Sequence, residues 1–443
     1  MTTPHDDLPP LDRKDRRARL LHALGDGLLV LRAPPLRVHA NDVEAPHRPS
    51  ADVYYLTGFP EPDAVVLFDG SAPTERFVLF VQPLDPERET WTGPRAGVTG
   101  AVERYGADAA YPVSELDAHL SERIANGGAL HYSLGHDQEF DRHLLGLATS
   151  AWDRRPRNQS GRTRSILDPR PLIHEMRLRK SDAEIEWLRR SAVIGTAAHR
   201  RAMAETRPGG WEHEIEALLD YEFRRAGTRG WAYPSIVAAG AHATVLHYTA
   251  NDGRLDGADL LLVDAGCDLD LYCSDITRTW PIGREPSPAQ QRVHAAVLES
   301  QLAGIAAVRP GATLEEVHHR ALEVLCEHLL SFGCVQGTVE SVIAEGTYKP
   351  FYMHRTSHWL GLDVHDVGAY EVKGQARPLE PGMVLTVEPG LYFGAGARGA
   401  SPSLAGIGVR IEDDVVVTAT GCEVLTAGAP KDLDSILSLR GTD

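Results

Sequence analysis

The stretch Phe351–Val367, FYMHRTSHWLGLDVHDV, places three histidines, His354, His358 and His365, in one short apolar segment. Its aromatic and aliphatic neighbours predict burial, and a buried imidazole needs a partner. Acidic partners stand on both sides of it in the chain. They are Asp264 and Asp275 in LLLVDAGCDLDLYCSDITRTW, Glu388 in LTVEPGLY and Glu412 in GVRIEDDVVV. Each lies in or at the end of a strand-like apolar run. A carboxylate among β-branched strand residues is unfavourable unless a charge offsets it. Four carboxylates and one imidazole can hold two divalent metal ions, with two of the carboxylates bridging. Oxygen-rich ligation favours manganese, with cobalt or zinc as substitutes, and the lack of cysteine ligands argues against a structural zinc site. Singly, each residue has a plainer reading, as a turn residue or a satisfied core histidine; together and in order they point to a metal centre. His354 and His358 stand i, i+4, as a helical zinc pair would. Pro350 and Gly361 lie too close on either side for a long helix there.

The elements that must position these groups fall into two styles. Residues 1–12 are polar and proline-rich and read as a disordered tail. From residue 13 to 172, strand-like runs (Gly27–Arg32, Val53–Thr57, Ala64–Phe68, Phe77–Val81, Ala129–Ser133) alternate with helical patterns such as Ser114–Ala125 and Glu139–Ser150. That alternation predicts an α/β domain. The arginine-rich stretch Arg154–Arg164 reads as a solvated linker. From 173 to 443 a helix pair followed by strands occurs twice. Ser181 to Glu184 is a capping box for a helix running to about Thr206, and a second helix, Trp211–Ala226, stops at Gly227. Strands Ser235–Ala239, Leu260–Ala265 and Leu271–Trp280 follow. Ser287 to Gln290 and Thr313 to Glu316 then open a second pair of helices, ending near Val308 and Gly333. RPGG at Arg207–Gly210 and RPGA at Arg309–Ala312 join the helices of each pair. The pattern implies duplicated helix–helix–sheet halves related by a pseudo-twofold axis, an α/β (α+β) architecture overall. Asp264 and Asp275 come from the first half, Glu388 and Glu412 from the second, so the site belongs in a cleft between halves.

With 443 residues, two domains are the default. The net charge of −17 excludes a basic field for nucleic acid or acidic membrane, and suits hard cations. No run approaches the roughly 18 apolar residues of a membrane-spanning helix, and the N-terminus lacks the apolar core of a signal peptide. Five cysteines without a CxxC pair read as reduced thiols of a cytoplasmic protein, Cys273 serving in packing.

Local sequences sharpen this reading. SIVAAG with LHY, VDAG…SDITRTWP, HWLGLDVHDVG, EPGMVLTVEPGLY and GVRIEDDVVVT occur in that order, and YYLTGFPEPDAVVLF precedes them. Over about Asn41 to Thr426 the chain resembles the aminopeptidase P and prolidase group of the creatinase-like, "pita-bread" metallopeptidases, and is nearest aminopeptidase P around HWLGLDVHD. The resemblance implies an N-terminal creatinase-like domain and a C-terminal pita-bread domain. It implies that Asp264 chelates one metal, that Asp275 and Glu412 bridge both, and that His358 and Glu388 complete the second site. His354, Tyr392 and Arg410 would shape the proline side of the cleft, although Arg410 serves equally well as a partner holding carboxylates. Asp42 and Trp91 also fall at matching positions. The family usually has glycine where Arg355 stands, and a small residue where Cys273 stands; neither change removes a ligand.

The activity so implied is removal of the N-terminal residue from peptides with proline second. Hydroxide generated between the metals would attack the carbonyl, and Glu388 would carry the proton to the leaving nitrogen. His247 and His365 are candidates for stabilising the oxyanion. Proline-containing peptides are the expected partners, in a homo-oligomer (dimer or tetramer). A prolidase acting on X–Pro dipeptides shares every ligand. A methionine aminopeptidase normally lacks such an N-terminal domain. A metal-free creatinase-like member would lose ligands that are all present here.

Overall fold

A computed structural model describes residue 5 and residues 7–154, 164–283, 285–395 and 397–440. The chain forms two compact units, Leu11–Met176 and the described residues of Met1–Pro10 with Arg177–Asp443. Most of the expected arginine-rich linker lies outside the described residues. Within the stretch expected as a tail, Leu8 is buried in the core of the second unit, and the Trp187 indole donates to the Pro9 carbonyl at 3.0 Å.

The first unit is built on a six-stranded mixed sheet. Its order is Ala109–Pro112, Phe77–Val81, Val65–Asp69, Leu28–Arg32, Leu130–His131, Ile166–Leu167. Alternate residues of the central strands (Leu28 and Val30, Val65 and Leu67, Val78 and Phe80) turn to one face. There they pack on Leu116, Leu120 and Ile124 of helix Leu116–Asn126 and on Phe140 and Leu144 of helix Gln138–Asp153. One expectation fails: Val53–Thr57 is not a strand but part of helix Ala51–Thr57. A short apolar run cannot be told from a buried helix by its pattern alone. Here the Thr57 hydroxyl bonds back to the Val53 carbonyl at 2.7 Å, and Gly58, at φ 71°, ends the helix in the left-handed region.

In the second unit the duplication is visible. Helices Asp182–Glu205 and Glu212–Arg225 form one pair, and Pro288–Ala307 and Leu314–Ser331 the other. Ser181, Ser287 and Thr313 close the capping boxes anticipated for them. Both RPG turns need their glycine, since Gly209 and Gly311 take φ of 86° and 83°. The first pair covers the sheet of Thr277–Pro281, Leu260–Asp264 and Ile236–Ala239. Ile215, Leu219 and Phe223 bury against Val237, Leu261, Val263 and Trp280. In the second half the strands Val384–Val387, Asp413–Val417 and Cys422–Val424 form one sheet, and Gly390–Tyr392 pairs with Gly408–Arg410.

The halves are stitched together where the site lies. The Glu412 amide donates to the Thr277 carbonyl at 3.0 Å, and the Thr279 hydroxyl to the Arg410 carbonyl, also at 3.0 Å. Arg278 and Asp413, both fully buried, pair at 2.6 Å across the seam. The expected strand Leu271–Trp280 is broken into Tyr272–Cys273 and Thr277–Pro281, and Asp275 sits in the break. Its amide, out of the ladder, donates instead to the Asp414 carboxylate at 3.1 Å. Glu412 occupies a matching break between Gly408–Arg410 and Asp413–Val417. Each break frees its acid from the alternation of a regular strand, and both acids line the cleft.

Candidate metal centre

Residues 353–370, which carry the three histidines, form no helix and only an isolated bridge at Trp359. What holds this segment is a set of bonds to firm elements. Its backbone exchanges hydrogen bonds with the strand Val384–Val387: Leu360 N–H to the Val384 carbonyl and Thr386 N–H to the His358 carbonyl, both at 3.0 Å. The Cys273 amide donates to the Gly361 carbonyl at 2.9 Å. At its far end Asp366, fully buried, pairs with Lys180 at 2.9 Å and with Arg177.

On this support the five proposed ligands converge. Asp275, His358 and Glu412 each present a donor atom, all within 4.8 Å of one another. His358 Nε2 lies 3.4 Å from Asp275 Oδ2 and 3.4 Å from Glu388 Oε1. Asp264 joins through Tyr233, whose hydroxyl donates to Asp264 Oδ1 at 2.6 Å and also reaches Asp275 Oδ1. Glu412 Oε2 accepts from the Thr277 hydroxyl at 2.5 Å and Glu388 Oε1 from the Thr386 hydroxyl at 3.1 Å. Each carboxylate is thus oriented by a hydroxyl or guanidinium beside it.

The electrostatics show how closely the acids crowd one another. Burial pushes the Glu388 carboxyl up to about 7, His358 and Arg410 resisting and Asp275 adding to the rise. Burial also drives Glu412 well above the ordinary carboxylate range, with Asp275, Glu388 and Asp264 repelling it. Asp275 is raised as well, burial and Asp264 outweighing its bond to His358. Burial would depress His358, yet the bond to Asp275 and the charge of Glu388 hold it up to about 9. Its Nδ1 is engaged by the Trp359 carbonyl at 2.9 Å, which leaves Nε2 aimed at the acids. That is the tautomer of a metal-binding imidazole. Four crowded carboxylates and one inward nitrogen fit divalent cations, which would replace the proton on His358 and quiet the repulsion.

The remaining predicted residues take distinct places. The cleft over the acids has a volume of about 1000 Å³, and His247, His354, His365 and Arg410 line it with the five ligands. His365 and His247 are exposed, and the His365 ring packs edge-on to His358 with centroids 4.4 Å apart. Tyr392 is not among the lining residues. Its hydroxyl stands behind the wall, accepting from Arg410 Nη1 at 3.0 Å and facing His354 Nε2 at 2.8 Å. Arg410 Nη2 holds Asp264 Oδ2 at 2.6 Å. A chain Asp264–Arg410–Tyr392–His354 therefore runs behind the centre. Asp42 and Trp91 lie exposed in the first unit, on a turn and on helix Pro86–Thr92. Sequence reasoning missed Tyr233, Thr277, Thr386 and Asp414. A lone tyrosine or threonine carries no spacing signal.

Comparison with known proteins gives the family. Residues 186–419 match the metallopeptidase family M24, and residues 13–131 the aminopeptidase P N-terminal domain. The chain is 39% identical over 427 residues to the Xaa-Pro aminopeptidase of Escherichia coli (strain K12), covering 96% of each. The aminopeptidase PepP of Pseudomonas aeruginosa superposes with a TM-score of 0.93 at 42% identity, covering 98% of both chains. A zinc-substituted E. coli aminopeptidase P in complex with product superposes with a TM-score of 0.91 at 37% identity, covering 98% of this chain and 99% of that one. With its N-terminal domain, its pita-bread unit and its cluster of acids around His358, this chain belongs to metallopeptidase family M24, in the aminopeptidase P group.

Proposed function

We propose that the chain is a metal-dependent exopeptidase that removes the N-terminal residue from peptides with proline second, using two divalent ions held by Asp264, Asp275, His358, Glu388 and Glu412. The observation that carries this reading is the convergence of Asp275, His358 and Glu412 donor atoms within 4.8 Å, with Glu388 and Asp264 adjoining. Manganese is the ion this oxygen-rich set favours. Divalent ions bound there supply Lewis acidity toward water and the scissile carbonyl.

The chain's own residues do the rest. Glu388, held by Thr386, accepts a proton from the attacking water and delivers it to the proline nitrogen. That nitrogen carries no N–H in the substrate, so the wall facing the ring need not supply an acceptor. His354, kept neutral by burial at a pKa of about 4, presents such a wall, and Tyr392 fixes it from behind. His247 and His365, on the exposed rim, serve as donors to the developing oxyanion. Arg410 orients Asp264.

The same proposal divides the chain near residues 172–173, supported by the parting of the two compact units at Met176 and Arg177. It includes a cytoplasmic homo-oligomer, in keeping with five cysteines that form no CxxC pair. No helix among the described residues is long and apolar enough to cross a membrane. The test is a peptide panel with manganese restored to chelated enzyme. X–Pro–Y should release free X, and X–Ala–Y should react far more slowly. Cleavage of X–Pro dipeptides with tripeptides untouched decides for a prolidase, and equal rates on X–Ala–Y remove the proline requirement.

A further inference from the structure

We propose that Arg355 makes one end of the cleft an anion-recognising subsite, which selects peptides bearing a carboxylate just beyond the proline. The inference rests on the exopeptidase reading above.

Among the described residues lining the cleft, two carry a permanent cation, Arg410 and Arg355. Arg410 is only 4% exposed and is engaged by Asp264, Tyr392 and Thr277. Arg355 differs on each count. Its side chain is 60% exposed, and it pairs with Glu315, which is also 60% exposed. Exposed pairs of this kind are weak, because water and salt screen them. A substrate carboxylate can therefore share the guanidinium or displace Glu315, and a planar guanidinium suits a carboxylate's two oxygens.

The backbone ties Arg355 to the reacting centre. Its carbonyl accepts from His354 Nδ1 at 2.8 Å, and the next residue's carbonyl accepts the Glu388 amide at 2.8 Å. The neighbouring imidazole on this wall, His318, is kept neutral, burial and Arg355 together lowering it to about 4. Arg355 thus supplies the charge there. The direction of the substrate follows from charge as well. The N-terminal amine of a peptide is largely cationic at neutral pH, and it is repelled from a guanidinium. The Arg355 end is left for the segment after the proline. In a chain of net charge −17 that repels acidic peptides at long range, a local cation makes a sharp discriminator.

Two sources offer the required group: the terminal carboxylate of an X–Pro–Y tripeptide, or an acidic side chain following the proline. Steady-state kinetics on manganese-reconstituted enzyme separates them. Ala-Pro-Ala is compared with its C-terminal amide, and Ala-Pro-Asp-amide with Ala-Pro-Lys-amide. At low salt the wild type should favour the carboxylate member of at least one pair by roughly 3- to 10-fold in kcat/KM, expressed mainly in KM and shrinking as salt rises. Arg355→Ala should abolish the preference and Arg355→Lys should keep part of it. Glu315→Gln, which frees the guanidinium, should enlarge it. Equal rates within both pairs, or a preference that survives Arg355→Ala, overturn the subsite and leave the exopeptidase reading standing. Failure to cleave any X–Pro peptide overturns both.

Discussion

Replacing Arg410 with glutamine should destabilise the protein far more without metal than with it. Arg410 is 4% exposed and holds Asp264 at 2.6 Å, the Tyr392 hydroxyl at 3.0 Å and the Thr277 hydroxyl at 3.2 Å. In the metal-free protein its charge and that of His358, with the protons the raised acids retain, offset the crowding of the four carboxyl groups. Removing one partner of a buried ion pair costs about 3–5 kcal/mol, and the open cleft beside Asp264 places the loss at the lower end of that range. For a unit of this size, each 1 kcal/mol moves Tm by about 2–4 °C, so a fall on the order of 10 °C is expected. Divalent ions bound to Asp264 and its neighbours take over the compensation, and the fall should shrink to less than half. Differential scanning calorimetry of chelated and manganese-reconstituted protein reads both values. Equal losses in the two states would refute the idea that Arg410 and the cations neutralise the same acids.

The metal-free protein should lose stability as pH rises from about 6.5 to about 9; below that window the imidazoles of His199, His294, His318 and His354, each lowered by burial to about 4, act in the opposite sense. The folded Glu388 carboxyl titrates at about 7 against an ordinary 4.5, and folded His358 at about 9 against 6.5. In both cases the folded state holds the proton longer than the unfolded one, so stability falls through the window. Bound metal displaces those protons, so a Tm series with manganese should be flatter, and a metal-free series that rises with pH across that window contradicts the assignment. Asp366→Asn leaves Lys180 without its buried counter-charge and should cost about 3–5 kcal/mol, read as a lower urea midpoint at unchanged m. His365→Ala and His247→Ala should lower kcat while metal content stays at the wild-type level; emptying of the site in either variant means that it is a ligand.

Much of this was legible in the chain itself, for reasons that are local. Ser181, Ser287 and Thr313 mark helix starts because a capping hydroxyl and a residue three positions on satisfy each other. Gly209 and Gly311 mark the turns because only glycine takes their φ without strain. Asp264, Asp275, Glu388 and Glu412 stood out because charge in an apolar run requires a partner. What stayed hidden depends on distant contacts. Val53–Thr57 carries the same apolar residues whether helix or strand, and its burial on all sides removes the pattern that would decide. The ladder breaks at Asp275 and Glu412 arise from pairing across residues 274–277 and 412–414, which strand alternation does not encode. Tyr233 is invisible for a similar reason: its role comes from standing between two aspartates 31 and 42 positions away. Tyr392, read from sequence as a substrate contact, is set behind Arg410 and His354 by the pairing of Gly390–Tyr392 with Gly408–Arg410.

The most direct test of the central claim is a metal titration of chelated enzyme, following release of free X from an X–Pro–Y tripeptide while bound metal per chain is counted. The five-residue donor set predicts negligible turnover without metal and activity that rises to a plateau near two manganese ions per chain. Full activity in chelated enzyme, or a plateau at one ion with no second ion bound, would contradict it.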